Sequence, residues 1–414
     1  LVAVALGLIA GPLLGKHALE LGGLGTAVIQ LIKAVATPLL FLAIVRAIST
    51  VQVGGKLLGR MVVVSTINVS IAIFWGLLLS NVFEPGSHLE FTRSGDLKEY
   101  EDKQFDWVKT LQNFVPKDLV SPFLENAVLS VVVLALLFGF ALRHVGTSAD
   151  TRGHDEIARL VDGLYRVAEL VLSWVLQLIP FAVFGVVAKT TSQYGMAPLR
   201  GLAAYLAIGI GGLALHVLVT YQLWLRFVAR MPLARFWKEA KRPVIVAFGS
   251  NSSLATLPVT LRALDRLGVS RQASAVGACV GTNLNNDGIV LYEGMAVLLV
   301  AQAMGMSLPI GQQVLVSLFC ILAAMGVAGI PEAGFISLAL VLNATSLPLD
   351  LLPLLLTVDW VIARGRSVVN VLSDMVLSIV LDIGERARGT STHPPPGAEI
   401  DLGSTAARPV VDEP

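Results

Sequence analysis

The sequence predicts an all-α polytopic membrane protein, and three observations lead to this fold class. Of its 414 residues, 55% are hydrophobic and only 14% are charged, against roughly 25% charged residues in soluble domains. The mean hydropathy is +0.75. Several apolar segments approach the roughly 20 residues that a helix needs to cross a bilayer. Lipid is therefore the expected partner of most of the surface, and the net charge of +1 gives no indication of nucleic acid binding.

Eight apolar segments are predicted to form transmembrane helices. They lie near residues 1–14, 25–48, 58–82, 120–143, 160–189, 200–229, 272–304 and 350–381. Residues 226–242 carry six basic residues and one acidic residue, whereas residues 84–118 carry eight acidic and five basic residues. Because short basic loops stay in the cytoplasm, we expect the first of these loops inside, the second outside and both termini cytoplasmic.

Two further regions are predicted to enter the membrane and return on the same side. Residues 243–262 and 311–345 each contain two half-length apolar runs around a tip of small residues. Runs of roughly 10 to 14 apolar residues are too short to span a bilayer. With the loop assignment above, the first hairpin enters from the cytoplasm and the second from outside. The two opposed re-entrant hairpins form an inverted repeat with discontinuous helices.

Polar residues concentrate in four segments of this apolar chain and predict a binding site. The segments are residues 249–253, 283–288, 326–334 and 359–374. Polar groups persist at membrane depth only where protein buries them or where they line a cavity. All six histidines lie outside these segments, so a nucleophilic Ser252 or Ser253 would lack a general base within them. An enzyme is therefore disfavoured, and the two cysteines offer neither a disulfide framework nor a zinc cluster.

The order of motifs in the second half of the chain resembles the glutamate transporter family, also called the dicarboxylate/amino acid:cation symporters. The motifs are the serine-rich tip with Ala255-Thr256-Leu257-Pro258, then Asn285-Asn286-Asp287-Gly288, then Gly329-Ile330-Pro331-Glu332-Ala333-Gly334, then the helix from Asp359 to Asp374. The resemblance covers nearly the whole chain and is tightest over residues 232–384. It implies a homotrimer in which a scaffold domain holds the trimer and a transport domain slides as an elevator.

This resemblance divides the chain into five regions. They are residues 1–83 with scaffold and first transport-domain helices, 84–119 as an extracellular loop, 120–231 with helices four to six, 232–384 as the core transport domain, and 385–414 as a disordered cytoplasmic tail.

The resemblance implies that Arg366 binds a carboxylate of the substrate. A guanidinium has a planar fork that suits a carboxylate, and it is costly to bury without a partner. A structural ion pair with Asp359 or Asp374 is the alternative interpretation. The positions that match the substrate site of the family are Ser252, Ser253, Ile289, Ile330, Glu332, Gly334, Ala363, Arg366, Ser367 and Asn370.

The resemblance also implies a sodium site around Asp374. Asn370 and Asp374 lie four residues apart, on one helical face. With the backbone oxygens of Gly281 and Asn285, they match a sodium site of the family. Hard oxygen donors with one carboxylate suit a small cation. A hydrogen bond that only packs helices together is the alternative interpretation.

Asp287 and Asn285 match a second, deeper sodium site that is incomplete in the sequence. The positions expected to complete it on the third helix are Ser65, Asn68 and Val69, where relatives have aromatic and hydroxyl residues. Asn286 stands where relatives have a methionine that couples sodium to substrate. These departures leave the sodium stoichiometry open.

Glu293 aligns with the glutamate that carries a proton in proton-coupled relatives. A carboxyl group buried on an apolar helix can be neutral in one conformation and charged in another. The alternative interpretation is a glutamate that faces the surface or lines a water-filled space. We therefore expect sodium ions, protons or both as coupling ions, and no cofactor.

Ala363 bears on the choice of substrate. Amino acid carriers of the family have an aspartate at this position that holds the ammonium group, and dicarboxylate carriers lack it. An ammonium group without a counter-charge would be desolvated and unpaired, which is costly. This favours a C4-dicarboxylate. Glu332 could supply the charge instead, and Ile289 replaces a threonine that often supports the side-chain carboxylate, so a glutamate or aspartate symporter stays the alternative.

The sequence thus predicts a secondary active symporter for small acidic solutes in a bacterial-type inner (plasma) membrane. An anion channel is a remote alternative, because relatives carry an uncoupled anion leak. A passive pore would give no reason for two opposed hairpins.

Overall fold

The computed structural model of the chain describes nine stretches of residues. They are 2–50, 55–89, 115–125, 127–146, 152–195, 197–325, 333–345, 347 and 351–386. Within them, every regular element is helical, which confirms the all-α prediction for this part. Most of the predicted extracellular loop, the tip of the second hairpin and the tail from residue 387 lie outside the described residues. Residues 385 and 386, predicted to begin the tail, still belong to the last helix.

Fourteen α-helices are numbered in chain order, leaving aside a single turn at Ser121–Leu124. They are α1 (Val2–Leu14), α2 (Ala18–Thr50), α3 (Gly55–Phe83), α4 (Val128–Val145), α5 (Arg152–Leu176), α6 (Ile179–Tyr194), α7 (Ala197–Leu215), α8 (Leu233–Ser250), α9 (Ser253–Leu267), α10 (Arg271–Ser274), α11 (Asp287–Ala303), α12 (Ile310–Ala324), α13 (Ala333–Ala344) and α14 (Leu352–Arg386). Turns of π-helix extend α7 as far as Val228 and α10 as far as Val280.

Three helical stretches of the described chain are long and apolar enough to cross a membrane, and a bent pair adds a fourth. They are Val2–Arg46, Lys56–Phe83 and Gly201–Val228, with Gly153–Val175 and Ile179–Gln193 as the pair bent by 41°. The protein is therefore a multi-pass membrane protein. The count of eight crossings stays a prediction, because α4 is short, the segment at 272–304 is interrupted and α14 carries charged residues.

Three predicted segments differ from the helices that form. The segments at residues 1–14 and 25–48 are joined by a 3-10 turn, Gly15–His17, without an intervening loop. The segment at residues 160–189 is divided between α5 and α6. Pro180 stands at the start of α6, and a proline has no N–H to continue the ladder of a preceding helix.

Both predicted hairpins consist of two helices that pack against each other. The first is α8 with α9 and the second is α12 with α13. Each is followed by a longer helical segment, α10 and α11 after the first and α14 after the second. This is the repeated order expected from the sequence, and the depth of the hairpins in a membrane stays a prediction.

The helices pack in two groups around different centres. In the first group, α2 packs on α4, α5 and α6, and α1 packs on α6. In the second group, α11 packs on α3, α12, α13 and α14. All residues of α11 from Asp287 to Ala301 are buried, as expected for a helix that is apolar on every side. The polar residues of the site surround the start of α11.

Candidate functional site

The tip of the first hairpin is a tight turn in which Ser252 and Ser253 are buried. Asn251 adopts a left-handed conformation with φ 51°, and its N–H donates to the Ala247 carbonyl oxygen at 2.9 Å. Ser252 caps α9, since its Oγ accepts a hydrogen bond from the Ala255 N–H at 3.2 Å. Ser367 on α14 donates to Asn251 Oδ1 at 2.9 Å. The N-terminus of α9, which carries partial positive charge, is thus tied to α14.

The helical segment at residues 271–303 is interrupted at residues 284–286, directly before Asp287. Gly288 lies against α14, and a Cβ atom there would come within 2.7 Å of the Arg366 carbonyl oxygen. The Gly288 N–H donates to Asn370 Oδ1 at 2.9 Å. Asn370 Nδ2 donates to Asn286 Oδ1 at 3.3 Å, and Asn286 Nδ2 donates to a carbonyl oxygen at the end of α12. Asn286 therefore connects the second hairpin to Asn370.

Arg366 forms a bidentate ion pair with Asp359, seven residues earlier in α14. Nη1 lies 2.6 Å from Asp359 Oδ1 and Nη2 lies 3.1 Å from Oδ2. Both side chains are buried, with exposed fractions of 3% and 1%. The guanidinium also lies over the ring of Tyr292, 4.0 Å from its centroid. Of the two ion-pair partners considered in the sequence, the structure selects Asp359.

Gly334, in the first turn of α13, packs directly on the Arg366 guanidinium. A Cβ atom at this position would lie 2.8 Å from Arg366 Cζ. The absence of a side chain at Gly334 therefore allows the second hairpin to approach Arg366. Ile289 and Ala363 are buried at 4% and 2% exposed. The predicted site residues Ile330 and Glu332 lie outside the described residues.

Asp287 is the centre of a buried hydrogen-bond cluster. Its Oδ2 accepts hydrogen bonds from Tyr221 Oη at 2.8 Å and from Ser373 Oγ at 2.5 Å, and His216 Nε2 lies 3.1 Å away. His216 and Asp287 are fully buried. The Ser373 hydroxyl donates to the carboxylate and not to the imidazole, so these residues do not form a nucleophile and base pair.

Asn68 on α3 reaches the same cluster, although it is one of the positions that made this site incomplete in the sequence. The amide groups of Asn68 and Asn285 both donate to Ser373 Oγ, at 3.3 and 2.6 Å. Three buried oxygens of these residues form no hydrogen bond within the described part of the chain: Asn68 Oδ1, Asn285 Oδ1 and Asp287 Oδ1. A buried oxygen without a donor is costly, and oxygen ligands of this kind suit a small cation. The buried Ser65 Oγ on α3 also forms no hydrogen bond with the described residues, whereas the side chain of Val69 has no oxygen.

Asp374 provides a further buried carboxylate four residues after Asn370. The side chain is 4% exposed, and its Oδ1 forms no hydrogen bond among the described residues. The Gly281 carbonyl oxygen accepts the N–H groups of Leu284 and Asn285, at 2.7 and 2.8 Å. A carboxylate oxygen in this position is suited to a small cation.

Glu293 is fully buried in the middle of α11. It therefore does not face the surface. The Ser337 hydroxyl on α13 and the Cys320 thiol on α12 lie beside its carboxyl group, and neither carboxyl oxygen has a hydrogen bond of normal geometry among the described residues. Glu293 thus lies against both helices of the second hairpin.

His216, Tyr221 and Ser373 are site residues that the sequence interpretation missed. His216 and Tyr221 lie in the π-helical turn that extends α7, and such turns are frequent at functional sites. The available signal was a histidine and a tyrosine within an otherwise apolar span. Neither residue could be connected to Asp287 from the sequence, because 71 and 66 residues separate them from it.

Comparison with known proteins identifies the family. The sequence model described as the sodium:dicarboxylate symporter family matches residues 1–383. The chain belongs to this family. Among its relatives, the C4-dicarboxylate transport protein of Bacillus subtilis (strain 168) is 28% identical over 397 residues, covering 92% of this chain and 91% of the relative.

Two other relatives are similar to this chain at a slightly higher identity. The C4-dicarboxylate transport protein of Rhodospirillum rubrum is 30% identical over 396 residues, covering 92% of this chain and 87% of the relative. That of Paraburkholderia phymatum is 30% identical over 403 residues, covering 93% and 92%. The family assignment confirms the resemblance that the motifs indicated.

Proposed function

We propose that this chain is a secondary active symporter that takes up C4-dicarboxylates, coupled to sodium ions, protons or both. Membership of the sodium:dicarboxylate symporter family supports the transport class. The relatives that carry the name C4-dicarboxylate transport protein support the substrate class, and the buried polar cluster in an apolar protein supports a binding site at membrane depth.

The substrate class is inferred mainly from Arg366 and Ala363, which lie on one face of the site. Arg366 supplies a buried cation for one carboxylate, whereas Ala363, at 2% exposed, offers no counter-charge for an ammonium group. The second carboxylate of a dicarboxylate would be bound by the N-terminus of α9 and the hydroxyl groups of Ser252 and Ser253. An amino acid would bring a positive charge that these groups cannot pair.

Asp359 keeps the charge of Arg366 paired until a substrate carboxylate binds. The bidentate pair occupies Nη1 and Nη2 of Arg366, so a substrate carboxylate must share the guanidinium with Asp359 or replace it. Gly334 contacts the same guanidinium from the second hairpin. Substrate binding at Arg366 would therefore change the contact between this guanidinium and Gly334 on α13. This contact would link substrate binding to closure of the second hairpin.

Two groups of oxygens fit sodium ions. One is centred on Asp374, with Asn370 and the backbone near Gly281 and Asn285. The other contains the unpaired oxygens of Asn68, Asn285 and Asp287. A sodium ion at either position would neutralise a buried carboxylate, and the chain's own groups orient the ligands through Ser373 and Gly288. Glu293 is the candidate for proton coupling, because it is buried against the second hairpin.

The transport cycle that we propose is an elevator movement within a homotrimer. Its support is the packing of the helices in two groups, one around α2 and one around α11. In this proposal the group around α11 carries the site, and the group around α2 stays in place.

A binding screen on the purified protein tests the proposal. Thermal unfolding is measured with succinate, malate, fumarate, aspartate, glutamate and neutral amino acids, each with sodium and with choline, and with butyrate as a control of similar length with one carboxylate. Ligand at about 100 times its Kd stabilises a protein by roughly 2.7 kcal/mol. We expect the largest shift with a C4-dicarboxylate and none with butyrate. A larger shift with aspartate than with succinate would instead support an acidic amino acid symporter.

A further inference from the structure

A cavity of about 340 Å³ lies between the two groups of helices, apart from the candidate substrate site. Its walls come from α2, α3 and α4 and, at its inner end, from the segment after α10 and the end of α12. Apart from Ser65, Thr66 and Arg143, all lining side chains are apolar. A cavity with such walls does not hold water favourably, so its occupant is expected to be apolar.

The cavity is elongated along α3. Its walls run from Leu58, near the start of α3, to Val69. At about 1.5 Å per residue, these eleven steps span roughly 16 Å. The hydrocarbon core of a bilayer is roughly 30 Å thick, so the cavity reaches through about one leaflet. This length fits an acyl chain better than a compact solute.

One end of the cavity, called its outer end because it opens to the protein surface, lies near the end of α2, the start of α3 and the end of α4. Ile48 is close to the end of α2, Leu58 is close to the start of α3, and Arg143 is in the last turn of α4. Val62 and Phe140, which also line the cavity, are 45% and 57% exposed. An apolar opening of this kind on a membrane protein gives access from the lipid.

Arg143 places a positive charge at this opening. Within the described part of the chain, its guanidinium forms no ion pair or hydrogen bond. Basic pockets between transmembrane helices bind anionic lipid head groups, and a guanidinium matches the geometry of a phosphate. The charge therefore complements an anionic head group at the depth where the head groups begin.

We propose that this cavity binds one acyl chain of an anionic phospholipid, with the phosphate at Arg143 and the chain along α3. The binding site requires only the helices that form the cavity, so it does not depend on the substrate or on the coupling ions of the proposed symporter.

Photolabelling tests this site directly. The full chain is placed in phosphatidylcholine nanodiscs that contain a trace of phosphatidylglycerol with a diazirine at the end of one acyl chain. We expect labelled peptides from the inner end of the cavity, at residues 65–69 and 280–284, and competition by unlabelled phosphatidylglycerol. The matching phosphatidylcholine probe is expected to label these peptides much less.

Three variants separate specific binding from contact with bulk lipid. Leu136→Trp fills the cavity and is expected to reduce labelling of the inner peptides by about tenfold. Arg143→Gln, at a partly exposed position, is expected to remove the preference for phosphatidylglycerol. Arg60→Gln removes a basic residue near the start of α3 that does not line the cavity, and it should leave both results unchanged.

The proposal is overturned if both lipid probes label the inner peptides equally in the wild type, or if Arg143→Gln keeps the preference. Absence of inner labelling in the intact protein would also overturn it. Because transport is not measured, failure here and failure of the dicarboxylate screen are distinguishable.

Discussion

Arg366 and Asp359 neutralise each other inside α14, so removal of either side chain alone leaves a buried charge. Loss of one partner of a buried pair costs about 3–5 kcal/mol, whereas loss of both can be nearly neutral. We therefore expect Arg366→Ala to lower the unfolding temperature strongly, and Arg366→Ala with Asp359→Ala to recover most of the loss.

The double variant separates folding from recognition. If Arg366 binds the substrate, the stabilised double variant still loses succinate binding, because the lost contact with a carboxylate is worth about 2–5 kcal/mol. Binding is measured with radiolabelled succinate on the purified protein. Succinate affinity close to that of the wild type in the double variant would mean that the arginine is only structural.

Asp374 offers a second test on a single residue. Asp374→Asn is expected to raise the sodium concentration for half-maximal substrate binding by about tenfold or more, roughly 1.4 kcal/mol, because the carboxylate of the site is lost. Asp382→Asn is the matched control. Asp382 is also buried on α14 but accepts the Ser270 N–H at 2.9 Å, so this change should affect stability without changing sodium dependence. Equal binding by the wild type in sodium and in choline would contradict the sodium assignment.

Ala363 tests the substrate class. Ala363→Asp restores a counter-charge for an ammonium group and is expected to shift preference from succinate towards aspartate. The ratio of the two affinities is measured by competition. Wild-type protein that already prefers aspartate would contradict the dicarboxylate assignment and indicate Glu332 as the partner of the ammonium group.

At the scale of the elements, Glu293 lies at the contact between α11 and the second hairpin. Glu293 is enclosed by α11, α12 and α13, with Cys320 and Ser337 beside it. A charge on this carboxyl group would be costly to desolvate when the hairpin is closed on α11. The protonation of Glu293 and the position of the hairpin are therefore expected to be coupled.

The variant Glu293→Gln imitates the protonated glutamate and tests this coupling. We expect normal substrate binding and normal exchange of internal for external substrate, but loss of pH-driven net accumulation, because the neutral side chain cannot release a proton to reset the empty carrier. The measurement compares exchange and net uptake in proteoliposomes. Unchanged pH-driven accumulation would remove Glu293 from the mechanism.

The π-helical turn of α7 is the element that completes the Asp287 cluster. It presents His216 and Tyr221 to the same oxygen of Asp287, and the two rings are in edge contact with their centroids 4.8 Å apart. The same tyrosine is also 3.2 Å from the Val369 carbonyl oxygen on α14. The turn thus connects α7, α11 and α14 at the point where the candidate sodium oxygens converge.

At the scale of the whole molecule, the two groups of helices meet along several pairs of elements. These pairs include α2 with α13 and α14, α4 with α12 and α13, and α6 with α14. Relative movement of the groups would have to replace these contacts. The movement requires that the group around α2 be held in place, which the homotrimer would provide.

The oligomeric state can be measured directly. We expect the purified protein in mild detergent to have a protein mass three times that of the 43.9 kDa chain, as determined by light scattering with correction for detergent. A monomeric mass, in detergent and in nanodiscs, would contradict the homotrimer and remove the support that the elevator requires.

Local sequence patterns were sufficient to predict the helical fold class and the paired helices α8 with α9 and α12 with α13, whereas the entry of these pairs into the membrane stays a prediction. Apolar runs determine where helices form, and small or polar tips such as the one at Asn251 determine where they end, because both effects act over a few residues. The polar residues before Asp287 were visible in the sequence, but residues 272–304 were predicted as one helix, and the structure interrupts this segment at residues 284–286. The joined start of α1 and α2 was also not predicted, because the continuity of two helices depends on how they pack.

Only the tertiary structure decided which polar groups meet. It selected Asp359 over Asp374 as the partner of Arg366, although both lie within eight residues of it on the same helix. It also brought Asn68 to Ser373 across 305 residues and His216 to Asp287 across 71. The physical reason is that helical periodicity defines the face of a side chain on its own helix. The partner of that face depends on how distant helices pack, and the cost of unpaired buried charges then selects among the contacts that packing allows.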